Sequence, residues 1–461
     1  MLTIATRPGK MIIHKVLQGV AIACTALWLS TALCLSTANA ASVTGSVAEV
    51  QAHKHLGAAS CASSTCHGST TVYKDSNVMQ NEFSVWQESD KHARAFEILK
   101  QPESQAITRK LGLGDATQAQ VCLDCHTDNV PVALRGEKFQ LEDGVGCEAC
   151  HGGSENWVST HTNKEVSHAD NLKAGLYPTE EPVARAKMCL SCHMGTKDRM
   201  ITHQIMGAGH PRLQFELDTF TWLNPHYEID SDYIKRKGEF NGARDWALGQ
   251  GVAAKNLLEQ LTDNKTAYVG IFPELVLFDC HACHKRMGGN TWAARPGTGL
   301  GPGVVRLNDA NLVTFRHVLS VVDAAAGVRL REQTRVLHRA TTNSRDATTS
   351  AANALKSTIE GSLAKVSAYP FEAASLGKVL ASLLRDAEAG DYRDFSGAEQ
   401  AALAAQSVVS GFEASGAIDK VNADRLATLV DNLNASVENG DNFQNPRFVS
   451  SLRALVQAAP R

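Results

Sequence analysis

The chain has 461 residues, 43% of them hydrophobic, and its 45 Lys and Arg stand against 48 Asp and Glu for a formal charge of −3. That length supports more than one packed unit. The acidic balance argues against nucleic acid, DNA included, as a partner, because phosphate contacts need a basic surface.

At the N-terminus Arg7, Lys10 and Lys15 precede an apolar run from about residue 16 to 35, and Ala38-Asn39-Ala40 follows. This is the plan of a secretory signal peptide over residues 1–40, with Ala41 the first mature residue. An uncleaved membrane anchor is the alternative, since about 20 apolar residues can span a bilayer. The first forty residues hold three Lys/Arg and no acid, so their removal takes the charge from −3 to −6. Two of the 12 cysteines, Cys24 and Cys34, lie in this stretch, leaving ten for the mature chain.

Those ten fall into five pairs, each followed directly by a histidine. Four have the spacing Cys-x-x-Cys-His: Cys122/Cys125/His126, Cys147/Cys150/His151, Cys189/Cys192/His193 and Cys280/Cys283/His284. The first pair is stretched, with four residues between Cys61 and Cys66 before His67. This is the attachment signature of c-type haem: two thioether bonds fix the porphyrin to a short turn, and the next residue's imidazole binds the iron. A chain of this Cys and His content would produce about 0.01 such motifs by chance. A zinc ribbon is the competing reading of the two pairs between Cys122 and Cys150, but a ribbon needs no histidine after its second cysteine. The expected cofactor is therefore five covalently attached haem c, with every mature cysteine used. Covalent haem also favours export to the periplasm or another oxidising compartment.

Residues 81–99 predict one helix, with Val85, Ser89, His92, Phe96 and Leu99 on one face. Outside a haem protein His92 would be a core histidine; here it is a candidate distal iron ligand. The other candidates are His161 and His168, just after the third motif, and His203 and His210 in the Gly- and Pro-containing segment 202–212. His226 is the reserve, with His53 and His55 available if the chain folds back. His281 reads as a surface residue, and His317 and His338 as ordinary helix residues. Met200 and Met206 are alternative ligands that would raise a potential. Glu148, Asp124 and Glu216 are acids near haem motifs, expected mainly to be solvated at the surface.

Residues 242–262 predict a further helix, expected to pack over the haem array, and a Gly/Pro-rich loop spans 287–303. From 308 onward the chain is Ala-, Leu- and Val-rich without cysteine, and helices are expected over 308–341, 346–367, 371–389, 396–414, 418–437 and 446–458, broken at Gly390-Asp391 and Gly440-Asp441-Asn442. The expected fold is mainly α. A pentahaem cytochrome c domain over 41–305, with little regular sheet, precedes a haem-free α-helical bundle over 306–461.

Three features carry a family resemblance: the segment Gly144-Val-Gly-Cys147-Glu-Ala-Cys150-His151-Gly-Gly, the helix with His92, and the segment from His203 through His210-Pro-Arg. Over roughly residues 55–305 the chain resembles the cytochrome c-554 group of multihaem cytochromes, related in haem arrangement to hydroxylamine oxidoreductase and the pentahaem nitrite reductases. The resemblance implies closely stacked haem pairs and electron transfer, with His92, His161, His203 and His210 as distal ligands. The chain departs from the group in having five haem motifs where a c-554 protein has four, and in its helical extension. It has neither the Cys-x-x-Cys-Lys motif of the pentahaem nitrite reductases nor a counterpart of the larger haem set of hydroxylamine oxidoreductase, which weakens a catalytic reading.

The function expected is electron transport between redox partner proteins, with a membrane quinol-linked donor as one candidate and a basic docking patch suiting an acidic carrier. The alternative is an oxidoreductase acting on a small nitrogen or sulfur compound at one five-coordinate haem. That reading predicts a proximal histidine without an opposing ligand, with Arg199, Arg212 and Tyr227 as the residues to inspect around it.

Overall fold

A computed structural model describes residues 50–72, 78–223, 225–268, 273–284 and 294–460. The signal segment, Cys24, Cys34 and part of the 287–303 loop lie outside the described residues. Thr44–Arg461 clusters as one compact unit. It is built of helices and turns; among the described residues the only β pairing is isolated bridges, such as His55 with Arg135 and Phe278 with Leu307. No helix among the described residues is long and apolar enough to cross a membrane.

The haem-motif region is made of short helices: α1 (Glu82–Ser89), α2 (Ala95–Leu99), α3 (Pro102–Leu111), α4 (Gln120–His126), α5 (Cys147–His151), α6 (His168–Lys173), α7 (Pro182–His193), α8 (His203–Ala208), α9 (Leu217–Leu223) and α10 (Ser231–Lys237). The single helix expected over 81–99 is broken in two. Asp90 is extended at ψ 129° and its carboxylate caps the His92 N–H, so a 3₁₀ turn over Lys91–Arg94 separates α1 from α2. That break lifts His92 out of the apolar stripe, leaving Phe96 and Leu99 in the core.

Apolar cores in this region are small. One gathers Phe96, Leu99, Ala116 and Leu123, and another Ala186, Leu190, Phe215 and Leu217 with Val252 and Ala253. Helix α11 (Gly242–Thr262) has the bounds expected from sequence. It packs on α7, which carries the fourth haem motif, and its other side joins the C-terminal helices. Helix α12 (Cys280–Cys283) holds the fifth motif.

The C-terminal helices are α13 (Ala310–Val322), α14 (Ala324–Ala340), α15 (Arg345–Ala368), α16 (Ala373–Glu388), α17 (Phe395–Ala414), α18 (Lys420–Ala435) and α19 (Asn445–Ala458). The one long helix expected over 308–341 is two, because Asp323 leaves helical geometry and its side chain caps Ala326 N–H at 3.0 Å. The other expected helices agree to within one or two residues. Trp246 and Leu258 of α11, Phe315, Leu355, Ile359, Leu380, Phe412 and Phe448 fill one shared core and are fully buried. Each such side chain contributes about 1.5–3 kcal/mol by leaving water.

Candidate haem-binding site

The four Cys-x-x-Cys-His motifs all form helical turns, in α4, α5, the end of α7 and α12 with its C-cap His284. On a helix, residues three apart lie on one face, so both thiols point the same way with the histidine beside the second. The stretched motif cannot do this. Residues 61–67 instead make a tight turn, closed by Cys66 N–H to Ser63 O at 2.8 Å and His67 N–H to Cys61 O at 3.2 Å. None of the ten motif cysteines is paired in a disulfide.

Each motif histidine faces a second imidazole. The ring centroids lie 6.2 Å apart for His67 and His161, 6.5 Å for His126 and His210, 6.4 Å for His151 and His226, 5.8 Å for His193 and His92, and 6.1 Å for His284 and His203. An imidazole nitrogen binds a metal at about 2 Å and the ring centre sits about 1 Å behind it, so two rings flanking one iron stand about 6 Å apart. The residues present therefore fit an iron porphyrin at each motif: thiols to attach it and two imidazoles to ligate it. Among the described residues no three His, Cys, Asp or Glu side chains converge as a metal cage.

Hydrogen bonds orient these rings. Nδ1 of His126, His161 and His210 lies 3.0, 2.8 and 2.7 Å from the carbonyls of Ala95, Val158 and Pro211. Nδ1 of His67 and His92 lies 3.0 Å from the carboxylates of Glu82 and Asp90. A donor role for Nδ1 leaves Nε2 as the lone-pair nitrogen, and a carboxylate partner makes the imidazole a stronger base. The Glu82 and Asp90 hydrogen bonds raise the pKa of His67 and His92 above the usual value. Burial pushes His151 and His193 down to about 4, which keeps both neutral and able to ligate.

Not every histidine proposed from sequence faces a motif. His168 is turned away, in contact with the Glu180 carboxylate and 3.2 Å from Lys237 Nζ. His226, the reserve, stands opposite His151 instead; it follows α9 in a bend with no periodicity to mark it. His55 is buried, its Nδ1 2.6 Å from Asp128 and its Nε2 3.0 Å from Val50 O, and His53 meets Asn156. His281 is not a surface residue: its ring packs on Phe395 and its Nε2 reaches Gly440 O, tying the fifth motif to the bundle. His317 bonds Ser382 and Tyr392, and His338 bonds Asp309. Met200 is buried in the apolar core.

The acids expected at the surface are buried. Glu148, Asp124 and Glu216 are 2%, 7% and 1% exposed. Glu148, inside the third motif, accepts from the Leu56, Gly57 and Ser154 N–H groups at 2.7–2.8 Å, so it fixes the approach to the first motif. Gly57 is required there: its φ is 98°, and a Cβ would sit 2.2 Å from Lys138 O. The residues suggested for an open catalytic site have partners of their own. Arg212 holds Glu399 through two contacts at 2.7 and 2.8 Å, Arg199 bonds Cys192 Sγ, and Tyr227 stacks on Tyr233.

Residues 60–152 match the family model described as cytochrome c554 and c-prime. No curated protein and no solved structure matches the chain. The matched segment, which contains the first three motifs, supports a haem-containing electron-transfer cytochrome of the c554 type with covalently bound haem c.

Proposed function

We propose that the chain is an exported pentahaem cytochrome that passes single electrons between redox partners, with all five haems ligated by two histidines. The observation that carries this reading is the set of five imidazole pairs at 5.8–6.5 Å, one for each attachment motif. When bound, haem supplies a one-electron ferric/ferrous couple, and a sixth protein ligand reserves it for electron transfer rather than substrate binding. The attachment cysteines are Cys61, Cys66, Cys122, Cys125, Cys147, Cys150, Cys189, Cys192, Cys280 and Cys283. The ligand pairs are His67/His161, His126/His210, His151/His226, His193/His92 and His284/His203.

Neighbouring side chains support an order for the five sites. Cys61 contacts Cys147, so the first and third attachment turns are adjacent; Cys125 contacts Cys192, which joins the second and fourth. Cys150 lies within electrostatic reach of Cys189 and Cys192, linking the third and fourth. Arg212, two residues after His210, acts electrostatically on Cys280 and His281 and so ties the second site to the fifth. The order first, third, fourth, second, fifth forms an unbranched path, and the haem arrangement shared with hydroxylamine oxidoreductase and the pentahaem nitrite reductases is part of this reading. The chain's own residues do the rest: they hold the attachment turns in contact, burial keeps His151 and His193 neutral, and each motif would offer its iron two imidazoles. Partners are redox proteins or a quinol-linked membrane donor, approached from the periplasmic side.

The test is haem quantification with EPR of the ferric holoprotein, followed by carbon monoxide addition to the ferrous form. Five low-spin haems per chain without a carbon monoxide shift are expected. A high-spin signal with carbon monoxide binding at one haem would overturn the carrier reading in favour of small-molecule chemistry. The ring planes sharpen the expectation. His67 and His161 are 12° from parallel, while the second, third and fourth pairs cross at 79–82°. Crossed planes leave the iron dπ orbitals nearly degenerate, so those three sites should give the more anisotropic low-spin signals.

A further inference from the structure

Beside the His193/His92 site lies a group of buried acids that electron transfer alone does not require. Phe215 stacks on His193 with ring centroids 4.4 Å apart and planes 21° from parallel. The next residue, Glu216, is 1% exposed and Asp218 is 3% exposed. Glu216 accepts the N–H groups of Asp218 and Thr219 at 2.8 Å and the Ser407 hydroxyl of α17 at 3.4 Å. Asp218 shares Ser407 and also meets the Trp222 indole, while its Oδ1 is buried without a partner.

We propose that Glu216 and Asp218, with Ser407 between them, form a redox-linked proton site that binds one proton when an electron enters the His193/His92 site and releases it when the electron leaves. The proposal rests on the electron-carrier reading. Its balance is simple: the electron comes from the redox donor, the proton from water, and an O–H bond forms on a carboxylate. Reoxidation returns both.

The charges facing the pair support this. Asp245 of α11 acts electrostatically on Asp218, and Ser407 of α17 bonds both acids; around Asp245 and its partner Arg185 of α7 stand Arg244 of α11, Cys189 of α7, Tyr227, and Tyr233 of α10. Arg185 pairs with Asp245, and Arg244 acts on the same carboxylate. Three carboxylates against two guanidinium groups leave one negative charge, so the cluster becomes neutral when it holds one proton. Desolvation accordingly pushes Asp218 up to about 7 and raises Glu216. One feature opposes permanent protonation. Asp218 Oδ1 lies over the first residue of α11, where a Cβ on Gly242 would be 2.4 Å away, and a helix N-terminus favours negative charge. Burial and helix end pull in opposite directions, which keeps the proton exchangeable near neutral pH. An electron arriving nearby adds negative charge and tips that balance toward protonation.

The experiment is spectroelectrochemical titration of the holoprotein from pH 5.5 to 8.5, with proton uptake on reduction measured in weak buffer. One of the five potentials is expected to fall with pH across neutrality, approaching about 59 mV per tenfold change in proton concentration for a fully coupled one-electron site. Asp218→Asn should abolish the slope and the proton uptake while leaving the optical spectrum intact, and Asp218→Glu should restore both. If Asp218→Asn fails to fold, Ser407→Ala should still move the pH at which the slope appears. Potentials independent of pH together with no proton uptake would overturn the proposal, as would a slope that survives both Asp218→Asn and Glu216→Gln. Either result alongside five low-spin haems would leave the carrier reading standing, so the two failures are distinguishable.

Discussion

Between Cys61 and His284 the chain builds its structure around small apolar clusters of four to six residues, whereas the helices from Ala310 to Ala458 share one extensive core with α11. The bundle is held by side chains such as Phe315, Leu355, Phe412 and Phe448, all fully buried. The haem-motif region spends its residues on attachment turns, buried acids and imidazole pairs whose 5.8–6.5 Å separation fits an iron porphyrin between them. Its stability should therefore depend on the cofactor, because anything that binds only the folded state stabilises it. The two regions meet at α11, at His281 on Phe395, and at an ionic cluster in which Arg295 and Arg306 bind Asp309, Asp394 and Asp279.

The largest expected effect comes from withholding haem. Chain produced without haem attachment should lose protection from limited proteolysis across residues 50–240, while the C-terminal helices stay resistant. Equal resistance in both regions would break the comparison.

A smaller effect is expected from the ionic cluster. Asp309 is buried between Arg295 and His338. The Arg295 guanidinium overcomes desolvation and holds the carboxyl well below the usual range. A depressed folded-state pKa contributes stability that is fully present above the ordinary carboxylate pKa and is lost as pH falls below it. Asp309→Asn should cost about 3–5 kcal/mol at neutral pH, because it leaves buried Arg295 short of a counter-charge. The cost should shrink as pH falls below about 4. Denaturant unfolding followed by circular dichroism would measure it, and the haem spectrum should not change.

The smallest effect on stability, and the most local, separates two histidines. His226→Ala should convert one haem in five to high spin, whereas His168→Ala should leave the spectrum unchanged because His168 only meets Glu180 and Lys237. The reverse result would return the distal assignment to His168.

What was legible in the sequence follows from how local each signal is. The Cys-x-x-Cys-His turns, α11 and the bundle helices α15 to α19 are encoded in spacings of three to seven residues, and they stand where periodicity put them. Two helix breaks do not show in the periodicity, because a single capping aspartate, Asp90 or Asp323, overrides an otherwise continuous pattern. Which imidazole faces which could not be read at all, since His92 stands opposite a motif about a hundred residues later and His226 opposite one 75 residues earlier. The fate of Glu148, Glu216 and Asp218 was equally hidden: a carboxylate looks the same in sequence whether water or buried N–H groups surround it. Local chemistry thus determined where the five cysteine pairs stand and which histidine follows each. Only the tertiary structure decided which histidine faces which and which acids lose their water, because both depend on contacts between residues far apart in the chain.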